Sequence, residues 1–259
     1  MFGSILAANA AALALLLGSL WLSSVLKRDA SIVDPFWGAG FVAVAWISWL
    51  LGGQPTGRSL AIVLLVTLWG LRLSGFLLWR NWGHGEDYRY RAMRQYHGER
   101  FWWVSLFTVF ALQGVILWFV ALPIQAGIGF PRTFALSWPL DVLGGVLICV
   151  GIFFEAVGDW QLARFKSNPA NAGRVFDRGL WRYTRHPNYF GDFCMWWGFY
   201  CLSAAQGAWW TVLSPLAMSF LLLKVSGVAL LESTIVDRRP EYASYQRRTS
   251  AFFPRPPRD

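Results

Sequence analysis

The sequence predicts an all-α, polytopic integral membrane bundle of seven transmembrane helices, with its N-terminus outside and its C-terminus cytoplasmic. Three observations predict this. Of 259 residues, 56% are hydrophobic and only 14% are charged, where a soluble domain would carry about 25% charged residues. The net charge is nevertheless +9, so the few charges must be concentrated. The 17 Trp, 20 Phe and 8 Tyr suit helix ends at lipid–water boundaries, where amphipathic rings are favoured.

A span needs about 20 mostly apolar residues to cross roughly 30 Å of hydrocarbon. Such windows fall at 4–26, 36–52, 59–79, 102–124, 138–162, 188–204 and 207–231. The first reads as a retained span rather than a signal peptide, since no basic segment opens it and no cleavage site follows. The second and sixth are short and the junction at Gln206 and Gly207 is tight, so six spans is the competing count. Positive charge favours seven. Lys27 and Arg28 follow the first window, and Arg80, Arg89, Arg91, Arg94 and Arg100 follow the third. Arg164, Lys166, Arg174, Arg178, Arg182 and Arg185 follow the fifth; Arg238, Arg239, Arg247, Arg248, Arg255 and Arg258 follow the seventh. With seven spans, these 19 of the 23 basic residues share one side, and only Arg58 and Arg132 lie in the opposite loops. The positive-inside rule makes the basic side cytoplasmic.

Cys149, Cys194 and Cys201 all lie in apolar runs, an odd set that reads as core filling rather than a disulfide framework. No Gly-x-Gly-x-x-Gly, Walker lysine or His/Cys metal spacing occurs, and His84, His97 and His186 are dispersed. Neither a metal site nor a nucleic-acid partner is therefore expected. Membrane lipids are. Nothing in the sequence specifies an oligomeric state.

Arg72, Glu155, Asp159, Asp192, Lys224 and Glu232 are ionisable residues inside or at the ends of spans. Such groups are costly in lipid and mark cavities or functional sites, with helix-end snorkelling as the alternative for Glu232. Glu155, Asp159 and Lys166 fall within about 40° of one helical face, where they form either a polar-ligand stripe or a salt-bridge ladder. The run Gly179-Leu-Trp-Arg-Tyr-Thr-Arg-His-Pro-Asn-Tyr-Phe-Gly-Asp192 then places Pro187 at a helix start. The free N–H groups at that start suit an anion, and Arg182 and Arg185 add charge-assisted donors. Asn188 and Asp192 share the next face. Lys224 and Leu231 are seven apart on one face, so Lys224 is expected to point into the bundle. The last four tail arginines read as a patch attracted to anionic lipid. Earlier in the chain, Asp34-Pro35, Trp69-Gly-Leu-Arg72 and Gly85-Glu-Asp-Tyr-Arg-Tyr90 mark a polar cavity.

Gly179 to Asp192, the Asp159–Lys166 helix and the tail to Pro254 resemble the C-terminal half of the steroid 5-alpha-reductase family, with its sterol C14/delta-7 reductase relatives. Trp69-Gly-Leu-Arg72 and Gly85–Tyr90 resemble a bacterial branch whose function is unassigned, which implies a multi-pass protein of the bacterial inner membrane. The resemblance implies one membrane domain over 1–259, with 1–130 as substrate-side spans and 138–259 as spans holding NADPH. Carried over by position, Asp159, Arg164 and Lys166 would contact the cofactor from span five. Phe176, Trp181, Arg182 and His186 would line its loop side, and Asn188, Tyr189 and Asp192 the first turns of span six. Lys224, Leu231, Glu232, Ile235, Arg239 and Tyr245 would close it from the last span and tail.

The implied chemistry is reduction of a carbon–carbon double bond conjugated to a ketone in a steroid or related lipid. Hydride adds at the β-carbon and charge develops on the carbonyl oxygen, so a donor aimed there stabilises the transition state. Family members are expected to use a carboxylate and a tyrosine. Asp34 falls at the carboxylate's place, but Trp69 stands near the tyrosine's, and an indole N–H cannot supply a proton. The runner-up resemblance is to isoprenylcysteine carboxyl methyltransferases, which bind S-adenosylmethionine and share the Arg-His-Pro-x-Tyr run. They tend to carry two adjacent glutamates where this chain has Leu231-Glu232.

Overall fold

A computed structural model of the protein describes residues 1–52, 56–130, 138–225 and 241–258. Among them every regular element is helical and there is no strand. Among the described residues, five stretches are long and apolar enough to cross a membrane: Phe2–Lys27, Ala30–Leu51, Gly57–Asn81, Tyr88–Val120 and Trp138–Lys166. The protein is thus multi-pass by the length and composition of its helices. The sixth expected window falls on the continuous helix Pro187–Ala204, which carries polar Asn188 and Asp192 in its first two turns. The seventh falls on the shorter apolar stretch Trp209–Val225, and its remainder, 226–231, lies outside the described residues.

The chain divides into two compact units, Met1–Ala135 with Gln206–Thr211, and Leu136–Ala205 with Val212–Asp259. The first contains α1 (Phe2–Lys27), α2 (Phe36–Leu51), α3 (Gly57–Asn81) and α4 (Tyr88–His97). After α4 come α5 (Phe101–Ser105), a π-helical stretch (Leu106–Ala111), α6 (Leu112–Val120) and α7 (Leu122–Gly129). In the second, α8 (Trp138–Lys166) is followed by α9 (Pro187–Ala204), α10 (Leu213–Phe220) and α11 (Glu241–Arg248).

Local chemistry sets several of these boundaries. Thr56 and Ser59 form a reciprocal capping box that starts α3, satisfying N–H groups that the first helical turn leaves open. Pro187 opens α9, where its missing N–H costs nothing. At the end of α1, Arg28 sits at φ 53, the one non-glycine residue with positive φ among those described. That left-handed residue turns the chain sharply into the 3₁₀ turn Ala30–Val33, which Asp29 caps by accepting from the Ser31 N–H at 2.9 Å.

Lipid gives helices no hydrophobic reason to associate, so small residues that let backbones approach carry the packing. In the first unit a Cβ added to Gly70 would lie 2.6 Å from the Gly38 carbonyl oxygen. The second unit repeats the device twice. A Cβ on Gly151 would lie 2.7 Å from the Gly191 oxygen and one on Gly198 2.8 Å from the Gly144 oxygen. Glycines seven apart on both helices thus make an antiparallel α8–α9 seam. Its continuation brings Gly158 against Pro187, at the start of α9.

Candidate functional site

In the first unit the sharp turn at Arg28 leads to Asp34, just before Pro35 and α2. Asp34 Oδ1 accepts from the Tyr90 hydroxyl at 2.7 Å, and Oδ2 accepts from Arg89 Nη2 at 2.9 Å. Gln113 Nε2 donates to the Tyr90 oxygen at 3.1 Å, and Trp37 Nε1 donates to Gln113 Oε1 at 2.6 Å. The tyrosine is 6% exposed and packs with Leu17, Val33, Phe101 and Phe110. A carboxylate, a guanidinium and a phenol are thus gathered at the edge of an apolar cluster.

The Gly85–Tyr90 loop assembles this group, which gives each of its residues a physical role. Gly85 takes φ 69, a conformation that only glycine adopts without strain. Glu86 accepts from the Ala30 N–H at 2.9 Å and, bidentately, from Arg94 at 2.8 and 3.0 Å. Asp87 caps α4 by accepting from the Arg89 N–H at 3.0 Å, and accepts again from Arg89 Nε at 2.9 Å. Arg89 therefore bridges Asp87 and Asp34. Burial pushes the Glu86 carboxyl up, but the bonds from Arg94 and the Ala30 N–H outweigh it and hold the pKa below the usual range. Asp87 is lowered likewise, burial being outweighed by its bonds from Arg89.

Asp34 and Trp69 are not brought together as a pair, because the partners of Asp34 are Arg89 and Tyr90. Trp69 is 1% exposed, with its ring 5.6 Å from that of Phe41. Sequence reasoning passed over Tyr90 and Arg89 as the partners of Asp34, and Gln113 as a donor to Tyr90. The available signal was the Tyr90 at the end of Gly85–Tyr90, an aromatic alcohol beside charged neighbours.

In the second unit the expected residues gather around the end of the glycine seam. Glu155 and Asp159 are buried, at 4% and 9% exposure, while Arg164 and Lys166 are exposed. The stripe of sequence neighbours is thus split between two environments. Asn188 Nδ2 donates to Asp159 Oδ1 at 3.4 Å, and Asp192 Oδ1 accepts from Trp196 Nε1 at 3.0 Å. His186 is buried and lies parallel to Tyr189, with centroids 5.4 Å apart. Phe176 stacks on Phe165 at 4.8 Å and lies 6.3 Å from Trp181. Trp181 Nε1 donates to the Gly158 carbonyl at 3.0 Å. Gln161, which the sequence did not single out, accepts from the Leu180 N–H at 3.0 Å and holds the loop to α8. Arg164 lies 5.5 Å over the Trp160 ring, and Arg182 is exposed.

Two expectations change here. The sequence places Arg185 as a donor to an anion at the start of α9. It is buried instead, and its Nη1 donates to the carbonyls of Gln246 at 2.9 Å and Thr249 at 2.6 Å. Its guanidinium holds the end of α11. Lys224 was expected inside the bundle, but it lies exposed on a π-helical turn, Leu221–Val225. Tyr245 is 2% exposed and its hydroxyl donates to the Trp181 carbonyl, tying α11 to the loop. Leu231, Glu232, Ile235 and Arg239 lie outside the described residues.

Residues 20–249 match the model of a family described as "Protein of unknown function (DUF1295)". The chain belongs to that family. The match includes the Asp34–Tyr90 group and the whole set from Asp159 to Tyr245. An uncharacterized protein of Schizosaccharomyces pombe is 28% identical over 273 aligned positions, which cover 94% of this chain and 78% of that protein. No solved structure matches.

Proposed function

We propose that the protein is an NADPH-dependent reductase of a carbon–carbon double bond conjugated to a ketone, acting on a 3-oxo-4-ene steroid or a related lipid. The observation that carries this reading is the 2.7 Å hydrogen bond from the Tyr90 hydroxyl to Asp34. It supplies the carboxylate–tyrosine pair for which the sequence offered only Trp69. Arg89 and Gln113 orient the pair, and the apolar residues around Tyr90 suit a lipid's ring system better than water. On substrate binding the single Tyr90 O–H would turn from Asp34 to the carbonyl oxygen that gains negative charge, breaking the first bond as the second forms. Arg89 offsets the charge left on the Asp34–Tyr90 pair when the proton moves.

NADPH, when bound, would supply the hydride. The residues at the α8–α9 seam fit such a molecule. Asp159 and Asn188 offer a carboxylate and an amide to hydroxyl or amide groups. His186 with Tyr189, and Phe176 with Trp181, offer faces for planar rings. Arg164, Lys166 and Arg182 are exposed cations suited to phosphate, including the 2′-phosphate that distinguishes NADPH from NADH. The one-sided arginines support seven spans with the C-terminus cytoplasmic, and the family resemblance supports a bacterial inner membrane.

Full-length protein in detergent, titrated with NADPH, is expected to show saturable quenching of tryptophan fluorescence. The response should weaken in Asn188→Ala. Saturable binding of S-adenosylmethionine with no response to NADPH would replace this reading with the methyltransferase one. NADPH binding without reduction of any 4-ene-3-ketosteroid would retain the cofactor and remove the steroid.

A further inference from the structure

Arg185 does more than hold α11 in place. Its backbone N–H donates to the Ser250 carbonyl at 2.9 Å, while Nη1 takes the Gln246 and Thr249 carbonyls. Two further main-chain bonds close the tail: the Arg255 N–H donates to the Tyr183 carbonyl at 3.0 Å, and the Arg258 N–H to the Arg248 carbonyl at 2.9 Å. The tail therefore folds back on the end of α11 and borders a partly open hollow of about 260 Å³. Arg185, Arg247, Arg248, Arg255 and Arg258 line it with Ser250, and none of the described lining residues is acidic.

Arg185 is engaged by carbonyls and Arg248 lies 3.7 Å from Asp177, so Arg247, Arg255 and Arg258 carry most of the charge on this space that an anion would offset. Guanidinium forks match phosphate oxygens in geometry as well as charge. The same tail carries Phe252 and Phe253 between the lining residues. Phe252 is buried, and Phe253 is 48% exposed, with its ring 5.7 Å from Phe193 and 6.1 Å from Phe190 near the start of α9. An exposed ring beside an arginine-lined hollow, at the end of a helix, presents an apolar and a cationic surface together. A soluble phosphate would use only the second.

We propose that this hollow is a site for the phosphate headgroup of one anionic lipid, whose acyl region lies over Phe253. The proposal does not depend on the reductase reading. It differs from a general attraction of basic residues to a charged membrane, because it is saturable and belongs to particular arginines. Arg255 and Arg258 lie beyond the stretch matched by the family model, so the site is built partly from residues outside it.

The test uses the full chain in detergent micelles doped with dioleoyl phosphatidic acid or with dioleoyl phosphatidylcholine, read by native mass spectrometry. One phosphatidic acid is expected to be retained per chain, and phosphatidylcholine is not. Arg248→Gln with Arg255→Gln should weaken retention about thirtyfold, since each basic residue near an anionic surface contributes roughly fivefold. The pair Arg248→Lys with Arg255→Lys, which keeps the charge, should stay within about fivefold of the parent. Arg174→Gln with Arg178→Gln, exposed residues outside the hollow, should change retention less than threefold. Equal losses in the two glutamine pairs would reduce the site to diffuse surface charge. Displacement of the lipid by inorganic phosphate at equal concentration would assign the hollow to a soluble anion and overturn the proposal.

Discussion

The two units hold their polar groups by different means. Around Asp34, side chains bond to side chains: Arg89 to Asp34 and Asp87, Arg94 to Glu86, Tyr90 to Asp34. Around the start of α9, side chains bond mainly to carbonyls: Arg185 to Gln246 and Thr249, Trp181 to Gly158, Tyr245 to Trp181, Thr184 to Phe252. In the first arrangement both partners must be particular residues. In the second only one must be, because any residue supplies a carbonyl. Function that depends on charge and proton position is suited to the first, and fixing a tail against a loop to the second.

The sharpest way to break this contrast is at Arg185. Losing a buried cation's two carbonyl bonds should cost about 3–6 kcal/mol, since a hydrogen bond to a charged group contributes about 1.5–3 kcal/mol. Arg185→Gln is expected to lower the melting temperature in detergent strongly and to expose the segment after Thr249 to protease. Unchanged melting would mean that the carbonyl ties around α9 are incidental.

At the other cluster, the effect should fall on activity rather than folding. Tyr90→Phe removes one hydroxyl and is expected to lower turnover about a hundredfold, the usual scale for a positioned proton donor. Asp34→Asn should lower it similarly. The double variant should lose little more than either alone, since groups acting as a unit are not additive. Additive losses would separate the two residues, and full activity in Tyr90→Phe would remove the pair from the chemistry.

The smallest expected effect is at Glu86. Glu86→Gln should cost about 1–2 kcal/mol of stability at neutral pH, through loss of a charge-assisted pair. Because the folded-state pKa of Glu86 lies below its ordinary value, this stability is present above the unfolded pKa of about 4.3. It is lost as pH falls through the lower folded value. Melting curves of parent and variant should therefore differ at pH 7 and converge as the pH falls below the ordinary carboxylate range. A constant gap would show that packing, not charge, makes the difference.

Much of the fold was legible because it is local. Apolar windows marked five helical stretches, and Pro187 marked the start of α9. The limits of that reading are instructive. Glu155, Asp159 and Lys166 share a helical face, yet two are buried and one is exposed. A face is continuous along a helix, whereas its surroundings change at the helix end. Arg182 and Arg185 look alike in sequence, three residues apart, but only Arg185 is enclosed by the tail. Gln161 gave no signal, since a lone amide on a helix surface reads the same whether or not a loop covers it.

By itself, then, the sequence determined the helices, their membrane character, the concentration of arginines and the residue types available for chemistry. Each of these follows from composition or from a period of a few residues. Tertiary structure decided which residues meet. It joined Asp34 to Tyr90, 56 positions away, put Trp69 into packing against Phe41, and made Arg185 the support of the tail rather than an anion donor. The physical reason is that a hydrogen bond demands placement within a few tenths of an ångström. Over such separations, that placement depends on helix seams set by single glycines and on turns such as Arg28, rather than on spacing along the chain.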